Sequence, residues 1–149
     1  MADEETQERA VQDRAVQERA PMVWPTFRAR DARGMIRFLA EAFGFEENVV
    51  YGEGELVHHA ELDWPEGGGV MLGSVRGDDS DKGLHAPGHF SAYVVTDHPD
   101  AVHDRAKAAG ARITTGLHET EYGSRDFAAT DPEGNHWYFG TYRGAPRRG

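Results

Sequence analysis

A chain of 149 residues with a formal net charge of -10 and 38% hydrophobic content is long enough for one buried core and short for two. It has no cysteine, which excludes disulfides, a thiol nucleophile and thiolate metal sites, and no apolar run approaches the roughly 18 residues that span a bilayer. The acidic balance argues against nucleic acid or an anionic membrane as partner, favours a cationic small molecule, and opens without the basic-then-apolar order of a signal peptide, so a cytoplasmic protein is expected.

Residues 6–20 read TQERA-VQDRA-VQERA. Five residues turn a helix by about 500°, so each Val leaves the face of the last and no apolar stripe forms. Residues 1–21 are expected as an acidic tail, either frayed or a helix that docks on a partner. Alternation then predicts a strand over Trp24 to Ala29. Asp31 to Gly44 reads as a helix: an N-cap Asp, apolar Ile36, Leu39, Ala40 and Phe43 at helical spacing, and a closing Gly. Three strands follow, near Glu46 to Tyr51, Leu56 to Asp63 and Gly69 to Val75, with Trp64-Pro65-Glu66-Gly67 as the hairpin between the last two.

Residues 77–87 read as a linker. Its Gly77-Asp78-Asp79-Ser80-Asp81-Lys82-Gly83 run lacks the twelve-residue pattern and final Glu of a calcium loop. The order then repeats: a strand over Phe90 to Val95, a helix over Asp97 to Gly110, and strands near Arg112 to Thr115, Arg125 to Thr130 and His136 to Tyr142. Asp131-Pro132-Glu133-Gly134 stands where the first hairpin turn stood. Laid over its copy, Asp31 to Gly44 gives an offset of 66 to Asp97 to Gly110, and the hairpin turns give 67, which predicts a duplicated half-domain with a single loop insertion. Modules at 22–76 and 88–142 are expected in one domain, followed by a mobile tail at 143–149.

The paired strand-helix-three-strand pattern, the turn at Asp131 to Gly134 and the segment Tyr122-Gly123-Ser124-Arg125-Asp126-Phe127 resemble the vicinal-oxygen-chelate superfamily of glyoxalases, extradiol dioxygenases and bleomycin-resistance proteins. The resemblance covers about Val23 to Tyr142. It implies an α+β fold of two βαβββ modules whose eight strands form an incomplete barrel with helices outside and the site within. It also implies a homodimer, with an exposed sheet edge as a physical reason for pairing.

Strand parity sorts the side chains. Phe27, Ala29, Leu56, Ala60, Leu62, Val70, Leu72, Tyr93, Val95, Trp137 and Phe139 are expected beneath the helices. The concave face then receives Trp24, Thr26 and Arg28, His59 and Glu61, and Met71; from the second module it receives Phe90, Ala92, Val94, Asp126, Ala128, His136 and Tyr138. A one-residue slip exchanges the two sets, and at the ragged start of the fifth strand His89 competes with Phe90. His58, on the opposite parity, reads as a structural histidine.

Metal-dependent relatives hold one divalent ion at positions that the resemblance places on Trp24, Met71, Phe90 and Tyr138. None of these is a good ligand, so no metal and no other cofactor is expected. Aromatic rings and a thioether convert a chelating floor into an apolar one that either lines a cavity or fills it. The candidate ligand-binding residues are Trp24, Thr26, Arg28, His59, Glu61, Met71, Phe90, Tyr122, Asp126 and Tyr138. Tyr122 either closes over a ligand or packs locally beside Gly123. The partner expected is a small organic molecule, cationic or aromatic, bound or sequestered without metal as in the bleomycin-resistance branch.

The alternative is an enzyme, a glyoxalase- or dioxygenase-like lyase, isomerase or oxygenase that uses His59, Glu61 and His136 for proton transfer or as a relocated metal site. A third reading is a partner-binding module working through the N-terminal repeat. His85, His98, His103 and His118 receive no role. No Gly-x-Ser-x-Gly elbow or Walker sequence is present, and Gly67-Gly68-Gly69 belongs to a hairpin turn.

Overall fold

The structure is a computed structural model that describes residues 3–18 and 20–148. Glu4–Glu18 form helix α1, opened by the Asp3 carboxylate, which accepts from the Thr6 N–H at 2.8 Å, and its side chains from Glu4 to Val11 are exposed. The repeat places no continuous apolar face on this helix.

Each module lays its four strands in the same order. The first sheet runs β1 (Thr26–Ala29), β4 (Gly69–Ser74), β3 (Leu56–Asp63), β2 (Glu46–Glu53); the second runs β5 (Ser91–Val95), β8 (His136–Gly140), β7 (Arg125–Thr130), β6 (Arg112–Glu119). In both, the outermost pair β1·β4 or β5·β8 is parallel and the hairpin pairs are antiparallel. This is the α+β pattern of two βαβββ modules. The eight strands remain two separately hydrogen-bonded sheets, and no closed barrel forms.

Helix α2 (Ala32–Phe38) continues into a π-helical turn at Leu39–Phe43, whereas its copy α3 (Pro99–Ala108) is α-helical throughout. A π turn holds one residue more than the α turn it replaces. The backbone confirms the count: the Phe45 N–H reaches back to Leu39, and the corresponding Ala111 N–H reaches only to Ala106. The duplication is therefore out of step by one residue inside the helix. Thr26 pairs with Met71 as Tyr93 pairs with Tyr138, an offset of 67, while β2 and β6 start 66 residues apart at Glu46 and Arg112.

This corrects the fifth strand. An offset of 66 carried back through the helix makes Asp97 the N-cap and puts Phe90 on the concave face; the N-cap is His98, whose N–H is held by the Thr96 hydroxyl at 3.0 Å. Phe90, Ala92 and Val94 pack against the core, and Tyr93, 41% exposed, takes the opposite face. A second correction is local to β3. A bulge between Tyr51 and Gly52 leaves His58 without a partner, so Val57 is buried and Leu56 is exposed.

One core serves both modules. Phe43 at the end of the π turn lies 4.8 Å from Phe139 and 5.7 Å from Trp137 of the second sheet, and Phe45 and Trp64 pack beside them. The hairpin turns clasp reciprocally across the module junction. Glu133 accepts from the N–H groups of Arg30 and Asp31 at 2.6 and 3.0 Å, and its copy Glu66 accepts from Asp97 at 2.7 Å. Each carboxylate thus satisfies backbone donors just ahead of the other module's helix. Glu133→Ala is expected to cost about 1 kcal/mol, lowering Tm by about 2–4 °C in a chain of this size, as read by calorimetry.

Candidate functional site

The concave face of the first sheet is roofed by the segment that joins the modules. Two short 3-10 turns, Asp79–Asp81 and Gly83–His85, shape that segment. Arg28 on β1 fixes it: one guanidinium nitrogen donates to the Ser80 carbonyl at 2.8 Å, the Ser80 hydroxyl at 2.9 Å and the Asp81 carboxylate at 3.1 Å. Asp81 also accepts from the N–H groups of Arg76, Gly77 and Asp78, and the Arg76 N–H is the main reason its carboxyl sits below the usual carboxylate range. A segment expected as a loose linker is therefore nailed to the sheet beneath it.

Between sheet and linker lies a cavity of about 490 Å³. Thr26, Phe27 and Arg28 of β1, Met71 and Leu72 of β4, and His58 and His59 of β3 form one side. Arg76, His85 and Ala86, then His89, Phe90 and Ser91 leading into β5, form the other, with Asn135 at the end. Phe27 and Phe90 stack at 4.5 Å in its floor, Phe90 reaching it from the core side. His59 is oriented from outside: Glu61 meets its Nε2 at 2.8 Å, and Tyr51 lies parallel to its ring at 6.4 Å.

Of the residues expected to bind ligand, Thr26, Arg28, His59, Met71 and Phe90 line this cavity, with Glu61 one contact behind His59. Trp24 is half-buried, donating from Nε1 to Pro21 at 3.2 Å. Tyr122 and Asp126 lie apart, in a cluster on the second sheet. There the Asp126 carboxylate accepts from the hydroxyls of Tyr93 at 3.2 Å, Tyr122 at 3.1 Å and Ser124, while the Tyr142 N–H donates to the Tyr93 hydroxyl and its ring meets Tyr122 edge-on at 5.5 Å. Burial, then the neighbouring Asp126 charge, pushes the Tyr93 phenol up; desolvation, then the bond to Asp126, does the same for Tyr122, so both remain donors. Tyr138 is 45% exposed on the same open face, as is His136.

Sequence reasoning missed His58, Arg76, His85 and Asn135, while His89, set there as the competitor of Phe90, lines the cavity beside it. His58 comes to the cavity through the β3 bulge, and Arg76 and His85 through the fold of the linker, neither of which leaves a periodic signal. The lining also inverts the expectation drawn from net charge, since it contains two Arg and four His and no Asp or Glu.

With the register corrected, Ser91 and not Phe90 is the counterpart of Trp24, so the positions that carry a metal in relatives hold Trp24, Met71, Ser91 and Tyr138. A ring N–H, a thioether, an aliphatic hydroxyl and a phenol do not fit a hard divalent ion. The relocated trio does not assemble either: His136 stands on the second sheet, away from the His59–Glu61 pair, and no group of three or more His, Asp or Glu set to hold a metal exists among the described residues. No helix among the described residues is long and apolar enough to cross a membrane.

The sequence pattern of the Glyoxalase/Bleomycin resistance protein/Dioxygenase superfamily matches residues 22–139. Solved structures share the fold. TioX from Micromonospora sp. ML1 is 26% identical with a TM-score of 0.70, over 81% of this chain and 98% of its own. A glyoxylase/bleomycin resistance protein/dioxygenase domain from Frankia sp. EAN1pec is 23% identical with a TM-score of 0.62, over 83% and 98%. TnmS3, an antibiotic binding protein from Streptomyces sp. CB03234, is 21% identical with a TM-score of 0.58, over 76% and 88%. No curated protein matches the chain.

Proposed function

Since the chain belongs to the Glyoxalase/Bleomycin resistance protein/Dioxygenase superfamily, we propose that it binds and sequesters a small organic molecule, without metal, on the concave face of its first module. The carrying observation is the cavity of about 490 Å³ with a Phe27, Phe90 and Met71 floor and a polar rim. Its volume falls within the range of about 300–1,000 Å³ typical of small-molecule sites, and the ring-and-thioether floor suits a flat ligand. The antibiotic binding protein TnmS3 has the same fold, which is compatible with this reading. A homodimer forms part of it: Tyr93 and Tyr138 stand exposed on a sheet face that nothing among the described residues covers, and a second copy would bury them.

A thermal-shift screen of planar aromatic compounds, run with and without EDTA and with mass measured by light scattering, tests the proposal. A ligand at a hundred times its Kd is expected to raise Tm by about 5–10 °C, unaffected by EDTA. A screen without any stabilising compound, or stabilisation abolished by EDTA, overturns it.

One observation favours a second reading. His59 held at 2.8 Å by Glu61 at the cavity edge is an imidazole with its orienting carboxylate, the arrangement of a general base. A lyase or isomerase would convert the bound compound, whereas a sequestering protein returns it unchanged; chromatography of the ligand after incubation separates the two.

A further inference from the structure

We propose that the ligand of this cavity is a flat apolar molecule bearing a strongly acidic group, so that the site selects an anion within an acidic protein. The inference rests on the binding reading above and adds the charge of the ligand. The chain carries 26 Asp and Glu against 16 Lys and Arg, yet no acidic side chain lines the cavity, while two of its Arg and four of its eight His do. A lining drawn at random from such a chain would be acid-rich, and this one is its electrostatic inverse.

The charges around those groups decide how much of this field reaches a ligand. Asp81 is engaged with one nitrogen of Arg28 and with the backbone of Arg76, and Glu61 is engaged with His59. Both lie outside the lining. Asp78, Asp79 and Lys82 of the same segment are exposed and outside it too. Arg76, His58, His85 and His89 make no ion pair among the described residues.

The neutral polar groups point the same way. Ser74 accepts from the Val57 N–H through its oxygen, leaving its hydroxyl proton as the group to offer; Asn135 is engaged at both ends, its carbonyl by the Phe90 N–H and its amide by the buried Asp131 carboxylate behind it, the one acidic group next to the closed end of the lining. Thr26 and Ser91 add two hydroxyls. Donors and cations on the rim above stacked Phe27 and Phe90 match a ring system with a carboxylate or sulfonate at one end.

Calorimetric titration of the full chain with naphthalene-1-sulfonate, 1-naphthylmethanol and 1-naphthylmethylammonium holds the ring constant and varies the charge of its polar substituent. The sulfonate, ionised throughout, is expected to bind about tenfold or more tighter than the alcohol, with the ammonium weakest. The double variant Arg76→Ala, His85→Ala, at two exposed rim positions, is expected to bring the sulfonate toward the alcohol, lowering the ratio of their affinities several-fold. Alcohol or ammonium binding as tightly as the sulfonate overturns the charge assignment and leaves the binding reading standing; no binding by any of the three overturns both.

Discussion

Asp131→Ala is expected to destabilise the protein by about 3–5 kcal/mol and to lower Tm by about 10 °C or more. Asp131 is 5% exposed in the turn between β7 and β8 and has no cationic partner among the described residues. Its charge is balanced instead by four N–H donors. One oxygen accepts from the backbone of Glu133 at 2.9 Å and of Asn135 at 3.1 Å; the other accepts from Asn135 Nδ2 at 2.8 Å and Trp137 Nε1 at 2.9 Å. Asn135 and Trp137 are 1% and 0% exposed, so water cannot replace the lost acceptor.

The consequence extends to the cavity. Asn135, oriented by Asp131, accepts from the Phe90 N–H at 2.9 Å and itself closes the end of the lining. Naphthalene-1-sulfonate binding is therefore expected to weaken in the same variant at temperatures where it is still folded. Urea denaturation with an unchanged m-value and a lowered midpoint is the check. A Tm within 2 °C of the parent would mean that the turn closes without its carboxylate.

The features legible in sequence are those written as periodicity or punctuation. Alternation placed the strands, the Asp31 cap and Gly44 bounded the first helix, and the two Pro-Glu-Gly turns exposed the duplication. What stayed hidden is what interrupts periodicity. A π turn has no composition of its own, so the extra residue in the first helix, a second slip besides the real loop insertion that follows β6, left no signal, and every side chain of β5 changed face as a result. The bulge at His58 did so only for the start of β3, at Leu56 to His58. The linker is a different case. Its hold on Arg28 depends on Ser80 and Asp81 meeting a residue some 50 positions earlier, and no local pattern encodes that distance. Net charge is no guide to the cavity for the converse reason, since it averages over the whole chain, while the ionisable side chains among the 16 lining residues are two Arg and four His.

The π turn also supplies the second large effect. Phe43→Ala is expected to cost about 3–5 kcal/mol, in the range of buried Phe truncations, with both modules losing stability together. Phe43 is 1% exposed and sits on the last residue of the turn, against Phe38 of its own helix and against Trp137 and Phe139 of the other module's sheet. Carbonyls at the end of the turn are met by α3 of the second module: Arg105 donates through Nε to Glu41 at 2.9 Å and through Nη2 to Ala40 at 3.0 Å, the latter oxygen shared with the Gly44 N–H at 3.2 Å. One extra residue thus makes the end of the first helix into the piece that docks the second half. If the halves share one core through this ring, hydrogen exchange in the variant should report the same fall in opening free energy in β3 and in β8. A loss confined to the first module, with β8 protected as before, would show that the duplicated halves still fold as independent units.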